Sequence, residues 1–181
     1  MKKGIYVGRF QPFHLGHWSV VERACKMVDE LTIVIGSAQH SFTWYNPFTV
    51  EERVRMIKES IDDGLNVRIM STPDIEDPSS WPEYIMFNAG EDIRTLFSGN
   101  MDGVVSLFQK HCTNMDIIIF GREKLISASD VRKMMGKGDA FWKTQLPEGT
   151  IKVIEECNGE QRIKNLFDKR DEMLKTQLGD M

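Results

Sequence analysis

The feature that most restricts how this chain can fold is a repeated alternation of short apolar bursts with stretches of helical periodicity. Ile5-Tyr6-Val7 ends at Gly8. From Gly16 to Val28 the apolar positions Val20, Val21, Ala24, Cys25 and Val28 recur at helical spacing. Leu31 to Ile35 forms a second burst closed by Gly36, Val50, Val54, Ile57 and Ile61 mark one helical face, and Asn66 to Met70 predicts a third strand. Ile93–Phe97, Val104–Phe108 and Met115–Phe120 continue the strand, helix, strand rhythm. Uninterrupted apolar strands separated by helices belong to a doubly wound parallel sheet with helices on both faces, joined by right-handed crossovers. In such a sheet ligands bind beyond the carboxyl ends of the strands. The loops starting at Gly8, Gly36, Ser71, Ser98 and Phe120 are therefore the places to search.

The 181 residues fit one domain, 1–181, with an α/β core over about 1–147 and a helical segment over about 148–181. In that segment Thr150 to Leu174 is predicted helical, broken at Asn158-Gly159. A net charge of −4 provides no whole-chain field for nucleic acid or membrane, so an anionic substrate has to be held by local cations and backbone amides. Cys25, Cys112 and Cys157 show no CxxC spacing, which suits a reducing compartment. Met1-Lys2-Lys3-Gly4 leads into a strand and no apolar run reaches membrane-span length, so a cytoplasmic protein is expected.

The loop after the first strand carries the chemistry. Gly8-Arg9-Phe10-Gln11-Pro12-Phe13-His14-Leu15-Gly16-His17 places two histidines around a glycine where a helix begins. A helix N-terminus offers unpaired N–H groups and a partial positive charge. Gly16 lets the backbone approach a ligand, His14 and His17 can both donate to phosphate oxygens, and Arg9 adds a bidentate cation. A single histidine at such a turn is more often an ordinary surface or core residue; two of them bracketing a glycine, with an arginine upstream, favour a phosphate site. A metal site is disfavoured, because no third ligand follows at recognisable spacing. Neither GxxxxGK[ST] nor GxGxxG occurs.

Further along, Ser127-Ala128-Ser129-Asp130-Val131-Arg132 predicts a helix start with Ser129 as N-cap and Arg132 one turn in. In isolation this is simple capping with a solvated arginine; beside the first loop it becomes a second phosphate-binding helix entry. Ser37 follows a strand and a glycine, where its N–H and hydroxyl can meet an acceptor. Asp74, Ile75 and Trp81 follow the third strand, and Trp81 is either a core anchor or a flat face for a cationic heteroaromatic ring.

Gly8 to His17 resembles the HxGH element of the nucleotidylyltransferase superfamily, and the full string GRFQPFHLGH is similar to that of archaeal-type nicotinamide-nucleotide adenylyltransferases. The likeness continues through Gly36-Ser37-Ala38-Gln39, Asn46-Pro47-Phe48-Thr49, Pro73-Asp74-Ile75-Glu76, Trp81, Ser98-Gly99-Asn100, Ser127–Arg132 and Leu146-Pro147-Glu148, over nearly the whole chain. It implies a Rossmann-like fold and transfer of the adenylyl group of ATP to nicotinamide mononucleotide (NMN), giving NAD and pyrophosphate. It implies catalytic roles for His14, His17, Arg9 and Arg132, and an ATP site drawn from Gly8, Arg9, Phe10, His14, Gly16, His17, Gly99, Asn100, Ser127, Ser129 and Arg132. It also implies an NMN site of Ser37, Asp74, Ile75 and Trp81, Mg2+ carried on the substrate phosphates with no protein metal ligand, and a homo-oligomer. Alternatives are another HxGH transferase acting on nicotinate mononucleotide or phosphopantetheine or using CTP, and a nucleotide sensor without turnover. No Nudix-like stretch is present.

Four departures stand out. The usual Ser-Gly-Thr-Glu-Ile-Arg reads Ser-Ala-Ser-Asp-Val-Arg here, so Ala128 replaces a glycine, which matters if that backbone needs positive φ. Pro78 stands where the pattern has an asparagine, losing a group that can pair with a carboxamide; Asp77, Ser79 and Ser80 are the possible substitutes. Phe42 and Tyr45 occupy positions more often polar or charged in the family.

Overall fold

The computed structural model describes residues 1–90, 92–121 and 126–179, and they form two compact units. The first comprises Met1–Arg9, Leu15–Gln39 and Ile61–Leu125. It holds a five-stranded sheet of β1 (Lys3–Gly8), β2 (Glu30–Ile35), β3 (Val67–Ser71), β4 (Ile93–Ser98) and β5 (Asp116–Ile119). All pairings are parallel and the spatial order is β3-β2-β1-β4-β5, with Tyr6 beside Ile33 on one side and Phe97 on the other. The order reverses between β1 and β4, which is the switch point where such sheets bind ligands.

Period-two alternation decides which side chain meets which helix. Ile5, Val7, Val34 and Leu96 share a buried cluster with Ile85 and Ala89 of α3 (Trp81–Ala89) and Val105 and Phe108 of α4 (Gly103–His111). Tyr6 points the other way, its ring 6.3 Å from that of His17 on α1 (Leu15–Cys25). Helices thus cover both faces, as expected. On α1 the buried positions are Val20, Val21 and Ala24, and the helix stops at Cys25 because the Ala24 carbonyl is taken by the turn amides of Met27 and Val28. Gly4 lies under an aromatic ring: a Cβ there would come within 2.4 Å of Phe97 Cε2.

The second unit comprises Phe10–His14, His40–Ser60 and Ile126–Met181. Its helices are α2 (Val50–Lys58), α5 (Ala128–Gly136), α6 (Glu148–Glu156) and α7 (Gly159–Gly179), with a 3-10 turn over Ala140–Gln145. The break expected at Asn158-Gly159 separates α6 from α7. On α2 the buried face is Arg53, Met56 and Ile57, not the Val50–Val54–Ile57–Ile61 stripe. Arg53 can sit there because its Nε donates to the Thr49 carbonyl at 3.2 Å. Glycines set two close helix contacts: a Cβ on Gly136 would strike the Phe167 ring at 2.5 Å, and one on Gly149 would lie 1.9 Å from the Glu59 carbonyl oxygen. No helix among the described residues is long and apolar enough to cross a membrane.

Glu52 closes a capping box with Thr49 at the start of α2 and forms a paired contact with Arg162 of α7 at 2.7 and 2.8 Å. Burial, the largest single influence on Glu52, opposes its charge. The hydrogen bonds from Arg162 and the Thr49 amide, with Arg162's charge, outweigh it and hold the carboxyl below its ordinary 4.5. A depressed carboxyl contributes stability that is present above its unfolded pKa and lost as pH falls through its folded one. Stability should therefore decline as the solution is acidified from about pH 5 towards 3. Glu52→Gln keeps a capping side chain but removes the charge, so its urea midpoint should change less over that interval. Identical pH slopes in the two proteins would contradict this.

Candidate active site

In the first unit the carboxyl ends of the strands collect several predicted residues. Gly8 ends β1 and its carbonyl accepts from Gly36 N–H at 2.9 Å, tying together the mouths of β1 and β2. Arg9 follows, exposed. His17 is the third residue of α1, within the turn whose amides lack intrahelical acceptors. Beyond β4, Ser98 Oγ donates to the Asn100 carbonyl at 2.8 Å and accepts from its amide. Gly99 fits against α1, where a Cβ would lie 3.3 Å from Val20. Gly8 and the Gly99-Asn100 pair thus flank the switch point between β1 and β4.

The residues expected at the acceptor converge more tightly. Ser37 is buried at the end of β2 with φ of 51°, a left-handed conformation that costs a non-glycine residue on the order of 1–3 kcal/mol. Its hydroxyl donates to Asp74 Oδ1 at 3.0 Å, and the Asp74 amide donates to Gln39 Oε1 at 3.1 Å. Trp81, the first residue of α3, donates through Nε1 to the Pro73 carbonyl at 3.1 Å. The edge of its ring overlies Gly36, leaving 3.3 Å to a hypothetical Cβ. A polar Ser37–Asp74 pair and a half-buried indole are therefore fixed on the same strand ends. Ile75 is half-buried in the loop that follows.

The neighbours of Pro78 are committed elsewhere. Asp77 accepts from the Ser79 amide and from both the Ser79 and Ser80 hydroxyls, which keep its carboxyl below the ordinary range. The Pro78 carbonyl takes the Trp81 amide. The three residues expected to substitute for the missing asparagine thus bond to one another.

In the second unit, Phe10 (φ 53°) and Phe13 are buried with rings 5.9 Å apart, and His14 is 6% exposed, directly before α1. Gln11, a residue with no role evident from sequence, makes two hydrogen bonds to the backbone of Phe48: Nε2 donates to its carbonyl at 3.0 Å, and Oε1 accepts from its amide at 2.9 Å. Arg132 is 4% exposed and donates through Nη1 to the Gln11 carbonyl at 2.7 Å, with its guanidinium 5.7 Å from the Trp44 ring. That burial excludes a solvated arginine at this position.

The N-cap of α5 is Ser127, not Ser129. Its hydroxyl accepts from the Asp130 amide at 3.2 Å while its own amide donates to Asp130 Oδ2 at 3.3 Å, completing a capping box, and the hydroxyl also donates to that carboxylate at 2.6 Å. The aspartate three residues after Ser127 is what a capping box needs, and that spacing was visible in the sequence. Ser129 is the second helical residue, within the first turn. Ala128 is the first helical residue. Positive φ outside glycine occurs among the described residues at Phe10, Ser37, Phe42 and Asn158, so losing the family's glycine costs no strain at 128. Of the loop before this helix, residues 122–125 lie outside the described residues.

Residues 5–134 match the cytidylyltransferase-like family. The chain is 36% identical over 167 residues to a nicotinamide-nucleotide adenylyltransferase of Methanolobus tindarius, covering 92% of this chain and 95% of that one. It is also 36% identical over 171 residues to that of Saccharolobus solfataricus, covering 92% and 97%. This chain belongs to the nicotinamide-nucleotide adenylyltransferase family. The solved bifunctional NMN adenylyltransferase/ADP ribose pyrophosphatase of Francisella tularensis, complexed with AMP and manganese, superposes with a TM-score of 0.79 at 19% identity. The superposition covers 97% of this chain but only 54% of that protein. It bears out the Rossmann-like fold, and the relatives bear out the family expected from GRFQPFHLGH.

Proposed function

We propose that this chain transfers the adenylyl group of ATP to NMN, releasing pyrophosphate and forming NAD. The observation that carries this reading is the acceptor group itself: Ser37, held at positive φ, bonds Asp74 beside the Trp81 ring at the strand ends. The pair supplies acceptors for the ribose hydroxyls, and the indole gives a cationic pyridinium an electron-rich face. Ile75 completes this site.

The acceptor's 5′-phosphate oxygen attacks the α-phosphorus of ATP as the bond from that phosphorus to the bridging oxygen breaks and pyrophosphate leaves. The nucleophile is already ionised, so positioning and charge stabilisation supply the catalysis. We assign Gly8, Arg9, Phe10, His14, Gly16, His17, Gly99, Asn100, Ser127, Ser129 and Arg132 to ATP. His14 and His17 donate to the phosphates, Arg9 serves the reacting groups, and Arg132 acts with one nitrogen already committed to Gln11. Among the described residues no group of three or more His, Cys, Asp or Glu could hold a metal ion. Magnesium enters as part of the MgATP substrate, in keeping with its preference for phosphate oxygens and water. The whole chain works as one cytoplasmic catalytic domain in a homo-oligomer.

Pyrophosphate release with ATP or CTP and a panel of NMN, nicotinate mononucleotide and phosphopantetheine tests this assignment. Turnover of ATP with NMN is expected. A preference for CTP or phosphopantetheine would overturn it, and ATP binding without release would make the chain a sensor.

Pro78 bears on discrimination within that panel. With the Asp77, Ser79 and Ser80 side chains bonded to one another and the Pro78 carbonyl taking the Trp81 amide, the turn lacks the paired donor and acceptor of an asparagine amide, and a site without that pair discriminates less. Nicotinate mononucleotide should compete well, and Pro78→Asn should raise the kcat/KM ratio of NMN over nicotinate mononucleotide by roughly tenfold, the effect of one added hydrogen bond. An unmoved ratio would place amide recognition elsewhere.

A further inference from the structure

We infer that Arg162, on the C-terminal helix α7, is a positioning residue for ATP. It lies beyond the 5–134 span that matches the cytidylyltransferase-like family, and its guanidinium donates four hydrogen bonds within the second unit. Nη1 donates to the Pro47 carbonyl at 3.0 Å and to Glu52 Oε2 at 2.7 Å. Nη2 donates to Glu52 Oε1 at 2.8 Å and to the Cys157 carbonyl at 3.2 Å. Its plane also lies 4.7 Å from the Phe42 ring and 5.8 Å from that of Phe48.

These contacts hold the segment from Phe42 to Glu52, in which Phe42 has φ of 57°. The next residue after Pro47 is Phe48, whose amide and carbonyl are the two groups that Gln11 grips. Gln11 belongs to the Phe10–His14 stretch, and its own carbonyl is held by Arg132. A continuous line of hydrogen bonds and one peptide link therefore runs from α7, through Arg162, Pro47-Phe48 and Gln11, to the loop bearing His14. Each link lies inside the second unit. Side chains locked in this way keep a phosphate-binding loop in one geometry, whereas the loop's strained residue, Phe10 at φ of 53°, would relax without them. Arg162 touches no substrate in this scheme; it acts through Gln11. Lysine cannot replace it, because one ammonium cannot reproduce the forked contact with Glu52 while also serving two carbonyls.

The inference rests on the ATP assignment above, and calorimetric titration of the full chain with MgATP alone, and separately with NMN, keeps the two apart. Arg162→Ala should weaken MgATP binding about tenfold, within the range of coupling through packed networks, and leave NMN affinity unchanged. Gln11→Ala should do the same. The double variant should be no weaker than the weaker single one, since both cut the same line, whereas Lys143→Ala, which breaks an exposed pair with Glu155, should have no effect and add nothing. Additive losses for Arg162 and Gln11, or unchanged MgATP affinity in folded Arg162→Ala, would overturn the proposal. Should Arg162→Ala fail to fold, Arg162→Lys decides: selective loss of MgATP affinity supports positioning, and equal loss on both ligands, or none, refutes it. A parent that binds MgATP but forms no NAD removes the transferase reading and leaves Arg162 testable; a parent that binds no MgATP overturns both.

Discussion

His17→Ala is expected to lower kcat by roughly 10²–10³ while leaving the fold intact, the range found when one donor to a developing charge is removed. His17 is the third residue of α1, its ring tilted against Tyr6 on β1. It is half-buried, and truncation leaves the helix's buried positions, Val20, Val21 and Ala24, in place. What it removes, on the proposed assignment, is an imidazole N–H at the positive end of a helix, where the reacting phosphates gain charge as pyrophosphate departs. Because that gain belongs to the transition state, the loss should fall mainly on kcat and less on the KM for either substrate. His17→Asn keeps a donor of similar reach and should recover part of the rate. Far-ultraviolet circular dichroism and a urea melt establish that the variant is folded; a folded His17→Ala enzyme with parental kcat removes His17 from the mechanism.

Much of the sheet was legible because its strands announce themselves. Leu31 to Ile35 are all buried, as a run of β-branched and leucine residues between two helices requires. Helices were harder. Trp81–Ala89 went unseen because a proline at its second position and neighbouring aromatics hide the periodicity, yet proline is well tolerated in a first helical turn. On α2 the buried face was misjudged because Arg53 counts as polar in any periodicity, although a hydrogen-bonded arginine can occupy a core position. The acceptor residues Ser37, Asp74 and Trp81 were nameable from their loops, and the structure brings them together. The bonds by which Gln11 grips Phe48, 37 positions away, have no local signature, and neither does the burial of Arg132 against Gln11, 121 positions away. Pairings that distant are set by tertiary packing, and one sequence carries no trace of them.

Arg132→Ala should be the most damaging single substitution in the second unit, and it should damage stability and ATP use together. The side chain is 4% exposed and donates to a buried backbone carbonyl, so truncation deletes a charged hydrogen bond, strands the Gln11 oxygen and opens a void beside Trp44. Those effects together cost about 3–5 kcal/mol, a large part of the stability of a domain this size. A urea titration would show it as a lowered midpoint. In the fraction that remains folded, the loop carrying His14 loses its anchor and the polyphosphate loses a cation. KM for ATP should then rise by at least about tenfold, as expected when a charged contact is lost, with KM for NMN little changed. Arg132→Lys separates the two contributions. A lysine retains the charge but not the planar fork, so it should restore ATP affinity more fully than it restores the urea midpoint. The opposite pattern, a variant of parental stability whose acceptor KM alone has risen, would mean that Arg132 serves the mononucleotide and that the two substrate assignments are exchanged.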